Sequence, residues 1–281
     1  ARDSFASTVS GVDLIVGAKT GSLNLLLYSV FRIGSPTDNI SWQAYREIAD
    51  SDDVAWTIPI SLGDSHEGYR VVGTTQAFFE HFSFGKKRRL AFFEGEAFEG
   101  TFDAVLGSEV ASALNYSMGT EIILSHGLAS TSFTKHDNQP FVVVGVLAPT
   151  GTPVDQTIHV GLAGIEAIHA GGATVPIGAF TPANRPTTDF SEPESITAFM
   201  VGLKSRMSTF NVQRQINEFA GEPLMAILPG VALSELWQTM SIFENVLRLI
   251  SALVLLAAVL GMGAVLLASI RERRQEIHLL R

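Results

Sequence analysis

Chemistry in a chain without cysteine must come from histidine, carboxylates, hydroxyls or lysine. Two stretches offer imidazole beside carboxylate. His66 sits among Asp64 and Glu67, and His126 is followed by His136 and Asp137. Imidazole with carboxylate suits zinc, so these stretches read either as a metal site or as solvated turns. Neither forms an i,i+4 pair on a helix. Phosphate chemistry fares worse. GAKTG at 17–21 and GKKRR at 85–89 lack the glycine spacing of a phosphate-binding loop. There is no HExxH, no GxSxG and no calcium-binding loop signature. No nucleophile or paired acid and base stands out, so ATP hydrolysis, where it enters, belongs to another chain. The run Lys86-Lys87-Arg88-Arg89 reads as a solvated loop or as a contact for lipid headgroups or a partner.

The elements that carry these residues divide sharply by composition. The chain has 281 residues, 46% apolar and 17% charged, with a net charge of −9 and a mean hydropathy of +0.26. The acidic balance argues against a nucleic-acid partner, since phosphate binding needs a basic face. The apolar excess is concentrated in Leu249–Ile270, 22 residues without a charge. At about 1.5 Å per residue that run is about 33 Å long, the thickness of a bilayer core. It is followed by Arg271, Glu272, Arg273, Arg274, Glu276, Ile277, Leu280 and Arg281. Basic flanks stay inside, which predicts a cytoplasmic C-terminus and an extracytoplasmic domain over residues 1–248. Ala257, Gly261 and Ala264 give the span a small-residue face suited to close helix packing. The chain starts ARDSFASTV without an initiating methionine, and we read it as a fragment that follows an earlier span.

Periodicity predicts an α+β outer domain. Val12–Ala18 reads as a buried strand, and Leu23–Ile33 as a core helix or an apolar contact surface. Asn39 or Ser41 caps a helix reaching Asp50. Val54–Leu62 and Tyr69–Gly73 read as strands separated by GDSHEG as a turn, and Thr75 as the cap of a short helix. Phe141–Leu147 is the strongest β run. Residues 161–170 read as helical, and residues 171–193, rich in Pro and Gly, as a junction. Residues 195–204 and 223–228 read as strands. Between them a helix over 209–220 places Phe210, Val212, Ile216 and Phe219 on its apolar positions. From about Leu233 a single helix runs into the span.

Several short motifs occur in order: YRVVGTTQAFFEHF, DAVLGSEVASAL, GTEI and PFVVVGVLAPTG, then SIRERRQEIHLLR after the apolar run. This succession resembles the FtsX/MacB-type permeases of ABC transporters. The pattern at the cytoplasmic exit of their second span matches Ser269, Arg273, Glu276, Ile277, Leu280 and Arg281. The resemblance implies an α+β fold. A discontinuous, two-part α/β "porter" subdomain (1–77 and 179–232) carries an inserted, mainly-β "sabre" subdomain (78–178). A stalk, membrane helix and cytoplasmic exit follow (233–281, with the span at 249–270). It also implies a non-catalytic subunit in a bacterial inner membrane that binds no cofactor itself. ATP would be bound by a partner ATPase subunit in the cytoplasm. The permease would form a homodimer and meet a periplasmic adaptor, lipoprotein or hydrolase. Its task would be mechanotransmission, serving efflux, lipoprotein extraction or hydrolase activation. The alternative on the residues alone is a membrane-anchored binding or sensor module for metal or peptide, resting on His126–Asp137.

Overall fold

The first strand among the described residues is β1 (Leu14–Ala18), an apolar pentapeptide buried along its whole length. A helix α1 (Ser22–Leu26) follows and continues as one π-helical stretch, Leu27–Phe31, which Arg32 ends in a left-handed conformation. The computed structural model describes residue 8 and residues 10–126, 139–169 and 192–279, without the side chains of 126 and 272–279. Leu25, Leu26, Tyr28, Val30 and Phe31 are buried, so the apolar stretch is core, with only Ile33 turned out among its large residues. After β2 (Ile40–Ser41), helix α2 (Trp42–Ala49) is capped by Ser41, whose hydroxyl accepts from the Ala44 amide at 3.2 Å.

The strand β3 (Val54–His66) is thirteen residues long and leads to β4 (Tyr69–Thr74). The expected turn over GDSHEG is therefore wrong. Only Glu67 and Gly68 take positive φ, 49° and 85°, as a two-residue hairpin requires. A shift of register between Leu62 and Ser65 absorbs one extra residue, and Asp64, Ser65 and His66 are buried within the strand. Helix α3 (Ala77–His81) has no side-chain cap. Thr75 was expected to supply one, but the Phe78 amide bonds the Thr75 carbonyl instead. Next come a small hairpin of β5 (Ser83–Phe84) and β6 (Arg88–Arg89), then β7 (Phe92–Gly95) and β8 (Asp103–Leu106). Helix α4 (Ser108–Leu114), β9 (Glu121–Ile122), β10 (Ser125–His126) and β11 (Phe141–Leu147) follow. A short 3-10 turn, Pro153–Gln156, leads into β12 (Thr157–Gly161) and α5 (Leu162–His169). The chain then gives β13 (Ser195–Ile196), β14 (Ala198–Leu203), α6 (Thr209–Asn217), β15 (Leu224–Ile227) and α7 (Pro229–Leu279).

One mixed sheet gathers most of the strands in the order β15-β1-β14-β3-β4-β12-β8-β11-β7. The first part of β3, Val54–Ile60, pairs with β14, and the rest, from Ser61, pairs with β4. β3 thus joins two halves of the sheet. One half draws on β1, β14 and β15, the other on strands between Tyr69 and Gly161. The β4–β12 and β8–β11 pairs are parallel, and the other neighbours on the path are antiparallel.

Alternation along the strands sorts the core by face. Ile15, Ile58, Ile60 and Met200 pack with Leu25, Phe78 and Phe82. Leu14, Val16, Phe199 and Val201 pack on the other side with Tyr45, Ile48, Val212 and Ile216. A third cluster joins Leu106, Val143, Ile158 and Val160 to Val110 of α4 and Ile165 of α5. In α6, Phe210 was expected inside but is 72% exposed. It stands about 200° around the helix from Val212, whereas Ile216 returns to within about 40° of it. Helix α7 starts four residues before the expected Leu233, because Pro229 has a first-turn position where a missing amide costs nothing. The chain as a whole divides into two compact units, Ala1–Leu233 and Ser234–Arg281. The porter and sabre boundaries expected near residue 178 lie outside the described residues.

Two buried polar groups shape the outer unit. Asp155 is 3% exposed. Its carboxylate accepts from the Thr150 amide at 2.8 Å, the Thr150 hydroxyl at 2.8 Å and the Gly151 amide at 2.7 Å. It thereby ties residues 150–151 to the turn before β12. Asp155→Ala strands two amides and a hydroxyl, at a cost of about 2–3 kcal/mol. A melting experiment on the variant should show a fall of about 4–10 °C, and an unchanged melting temperature would remove this role.

His159 is fully buried in β12, its ring stacked 4.7 Å from Phe78. Burial, reinforced by the charge of Arg32, holds its pKa down to about 3, against an opposing hydrogen bond to the Val105 backbone. A depressed base is stabilising while neutral. Its contribution is complete above the ordinary value of 6.5 and is lost as pH falls toward 3. His169 acts in the opposite sense, because its hydrogen bond to Asp64 raises its pKa. That contribution is present at low pH and fades as pH rises through the raised value. Urea midpoints should therefore drop on acidification below about pH 6.5, with a slope of up to about 1.4 kcal/mol per pH unit. His159→Phe should flatten that slope, and a variant as acid-sensitive as the parent would refute the assignment.

Candidate functional site

Helix α7 is 51 residues long, with proline only at its start. Over its apolar run the side chains are exposed on all sides within the chain, Leu253, Leu256, Leu260 and Leu267 among them. A helix apolar all round has no stable place in water. Among the described residues it is the one helix long and apolar enough to cross a membrane, by length and composition. Glu244 and Arg248 pair at i,i+4, 3.7 Å apart, just before the uncharged run begins.

The helix fixes the spacing of the residues expected to act. Ala257, Gly261 and Ala264 recur at i, i+4 and i+7 and so share one face. A Cβ added at Gly261 meets nothing within 4 Å, so that face has room for a neighbouring backbone. Arg271 is exposed. Glu272, Arg273, Arg274, Glu276 and Ile277 continue the same helix, and Arg273, Glu276 and Ile277 recur at i, i+3 and i+4 on one side of it. Leu280 and Arg281 lie outside the described residues.

The candidate metal residues do not come together. His66 is buried, its Nδ1 donating to the Ile123 carbonyl at 2.7 Å while Nε2 meets the Tyr116 hydroxyl at 2.9 Å. Both ring nitrogens are thus engaged in joining β3 to the segment around β9. The His126 side chain, His136 and Asp137 lie outside the described residues. Among the described residues no three histidine or carboxylate side chains gather as a cation would need. The basic run forms the β5–β6 hairpin, with Gly85 and Lys87 at positive φ and Arg88 placed 4.6 Å over the Phe84 ring.

The outer unit also carries a groove that no sequence motif marks. A cavity of about 360 Å³ is lined by Phe93 and Glu94 of β7, Ala111 of α4, Tyr116, and Val146 and Pro149 at the end of β11. A second hollow of about 450 Å³ shares Ser108, Ser112 and Pro149 with it and adds Glu109. Its residues come from three separated segments, which is why spacing in the sequence is silent about it. The one local sign is Phe92-Phe93. Two adjacent aromatics cannot both face the core of a regular strand.

Comparison with known proteins places this architecture. Residues 3–219 match the family described as the MacB-like periplasmic core domain. Among solved structures, the periplasmic region of MacB from Actinobacillus actinomycetemcomitans is similar at 9% identity and a TM-score of 0.49, covering 83% of this chain and 94% of that one. The extracellular domain of the noncanonic ABC-type transporter YknZ from Gram-positive bacteria is similar at 12% identity and a TM-score of 0.43, covering 77% of this chain and 98% of that one. No curated protein matches the chain. The family match spans most of the outer unit and stops before the apolar helix, and on that ground the chain belongs to the ABC transporter permeases that carry a MacB-like periplasmic core domain.

Proposed function

We propose that the chain is the non-catalytic, force-transmitting part of a MacB/FtsX-type transporter. In this reading a cytoplasmic ATPase subunit contacts the exit of α7 around Arg271–Arg281. Movement there passes through the helix to the outer unit, which does its work outside the membrane. The observation that carries the reading is the uninterrupted helix Pro229–Leu279. At about 1.5 Å per residue it is about 75 Å long. A helix without an internal proline resists bending, so displacement at one end is not dissipated in a proline hinge. The small-residue face at Ala257, Gly261 and Ala264 would pack against other spans, including those of a second permease copy. Efflux through an adaptor, extraction of a lipoprotein and activation of a hydrolase all use the same coupling.

The absence of cysteine makes topology directly measurable. In intact cells, an impermeant maleimide should label Ser234→Cys, and should label Gln275→Cys only after the membrane is opened. The reverse pattern would overturn the orientation. In the full-length transporter with its ATPase, Ile277→Asp should reduce coupled turnover about tenfold or more, equivalent to about 1.4 kcal/mol. The outer unit should melt as before, and ATP hydrolysis should persist uncoupled. Unaltered coupling in that variant would exclude the helix exit as the contact.

A further inference from the structure

The groove between β7 and α4 has three features that together define an occupant. The first is Phe93. The register of β7 on β11 passes from Glu94↔Val146 to Phe92↔Leu147, which leaves Phe93 without a cross-strand partner. Such a bulge re-aims one side chain, and here Phe93 is left 77% exposed beside an apolar cavity. The second is shape. The two hollows share Ser108, Ser112 and Pro149 and so form one track along α4. Seven helical residues extend about 10 Å, the length of about three residues of extended chain. The third is charge. Glu94 lines one hollow and Glu109 the other, Glu96 is exposed close by, and neither lining contains a lysine or arginine.

We propose that this groove docks an extended peptide segment of a partner protein, one presenting a large apolar side chain flanked by lysine or arginine. The apolar side chain would pack against Phe93, Ala111 and Val146. The flanking cations would meet Glu94 and Glu109, and the Ser108 and Ser112 hydroxyls are placed to bond the peptide backbone. The bulge argues against simple strand addition, because it breaks the regular edge that a new strand would need. Recognition therefore rests on the aromatic anchor and the carboxylates. The groove lies wholly in the outer unit, so binding is measured without the ATPase, and its failure leaves the coupling reading untouched.

The test uses the full chain in nanodiscs of zwitterionic lipid. The probes are two fluorescein-labelled hexapeptides, Lys-Lys-Leu-Phe-Lys-Lys and Glu-Glu-Leu-Phe-Glu-Glu, with empty nanodiscs as the blank. Anisotropy should show saturable binding of the basic peptide alone, weakening as salt is raised. Phe93→Ser should weaken it about tenfold, with Phe93→Trp restoring it. The pair Glu94→Gln and Glu109→Gln should weaken it about fivefold or more. Phe93 is exposed, so an unchanged melting temperature will show that the serine variant is folded. Equal binding of both peptides, indifference to Phe93→Ser, or no saturable binding below about 1 mM would each overturn the proposal.

Discussion

The outer unit depends on one strand being hydrogen-bonded on both sides along different parts of its length. β3 gives Val54–Ile60 to β14 and Ser61–His66 to β4. Its neighbours on one side come from the two ends of the chain segment, and on the other from the middle. Burial follows the same logic. Ile58 and Ile60 face one core, while Val54 faces the other. A shift of one residue in β3 would exchange these faces in both halves at once. The one-residue shift that does occur, between Leu62 and Ser65, lies beyond Ile58 and Ile60 and leaves their pairing with β14 untouched.

The sequence made the larger elements readable because their signals are local. The uncharged 22-residue run, the Phe141–Leu147 strand and the Ser41 cap each follow from a few adjacent residues. What it hid depended on tertiary context. GDSHEG looks like a turn by composition, yet Asp64, Ser65 and His66 find buried partners that keep the strand extended. Phe210 looks like a core residue by type, yet the helical angle to Val212 turns it out. Thr75 has the chemistry of a cap, but a backbone carbonyl takes that role. The exit residues expected to meet an ATPase lie in one continuous segment, so a sequence pattern can name them. No such pattern marks the groove, since Phe93, Ser108 and Pro149 meet only when β7, α4 and β11 are folded.

Charge is used differently in the two units. The outer unit buries a few polar groups at defined joints, such as Asp155 beneath Thr150 and His66 between Ile123 and Tyr116. Each has its hydrogen bonds arranged around it, which makes the joint specific. In the helix the charges are confined to positions outside the apolar run, where they set its limits. Polar residues thus fix local geometry in the first unit and axial position in the second.

β15 stands at one end of the sheet with β1 beside it. They are antiparallel neighbours, with Ile15 opposite Ile227, so the chain arrives at Leu14 and departs after Ile227 at the same end of the sheet. Tension applied to these two chain ends would open their ladder one rung at a time, because the bonds lie across the strands. The root of the outer unit is therefore built to peel under load, whereas strands pulled lengthwise must break all their rungs together. A device meant to move as a body has to be pushed or tilted by its support, and cannot be stretched from its root without coming undone there first.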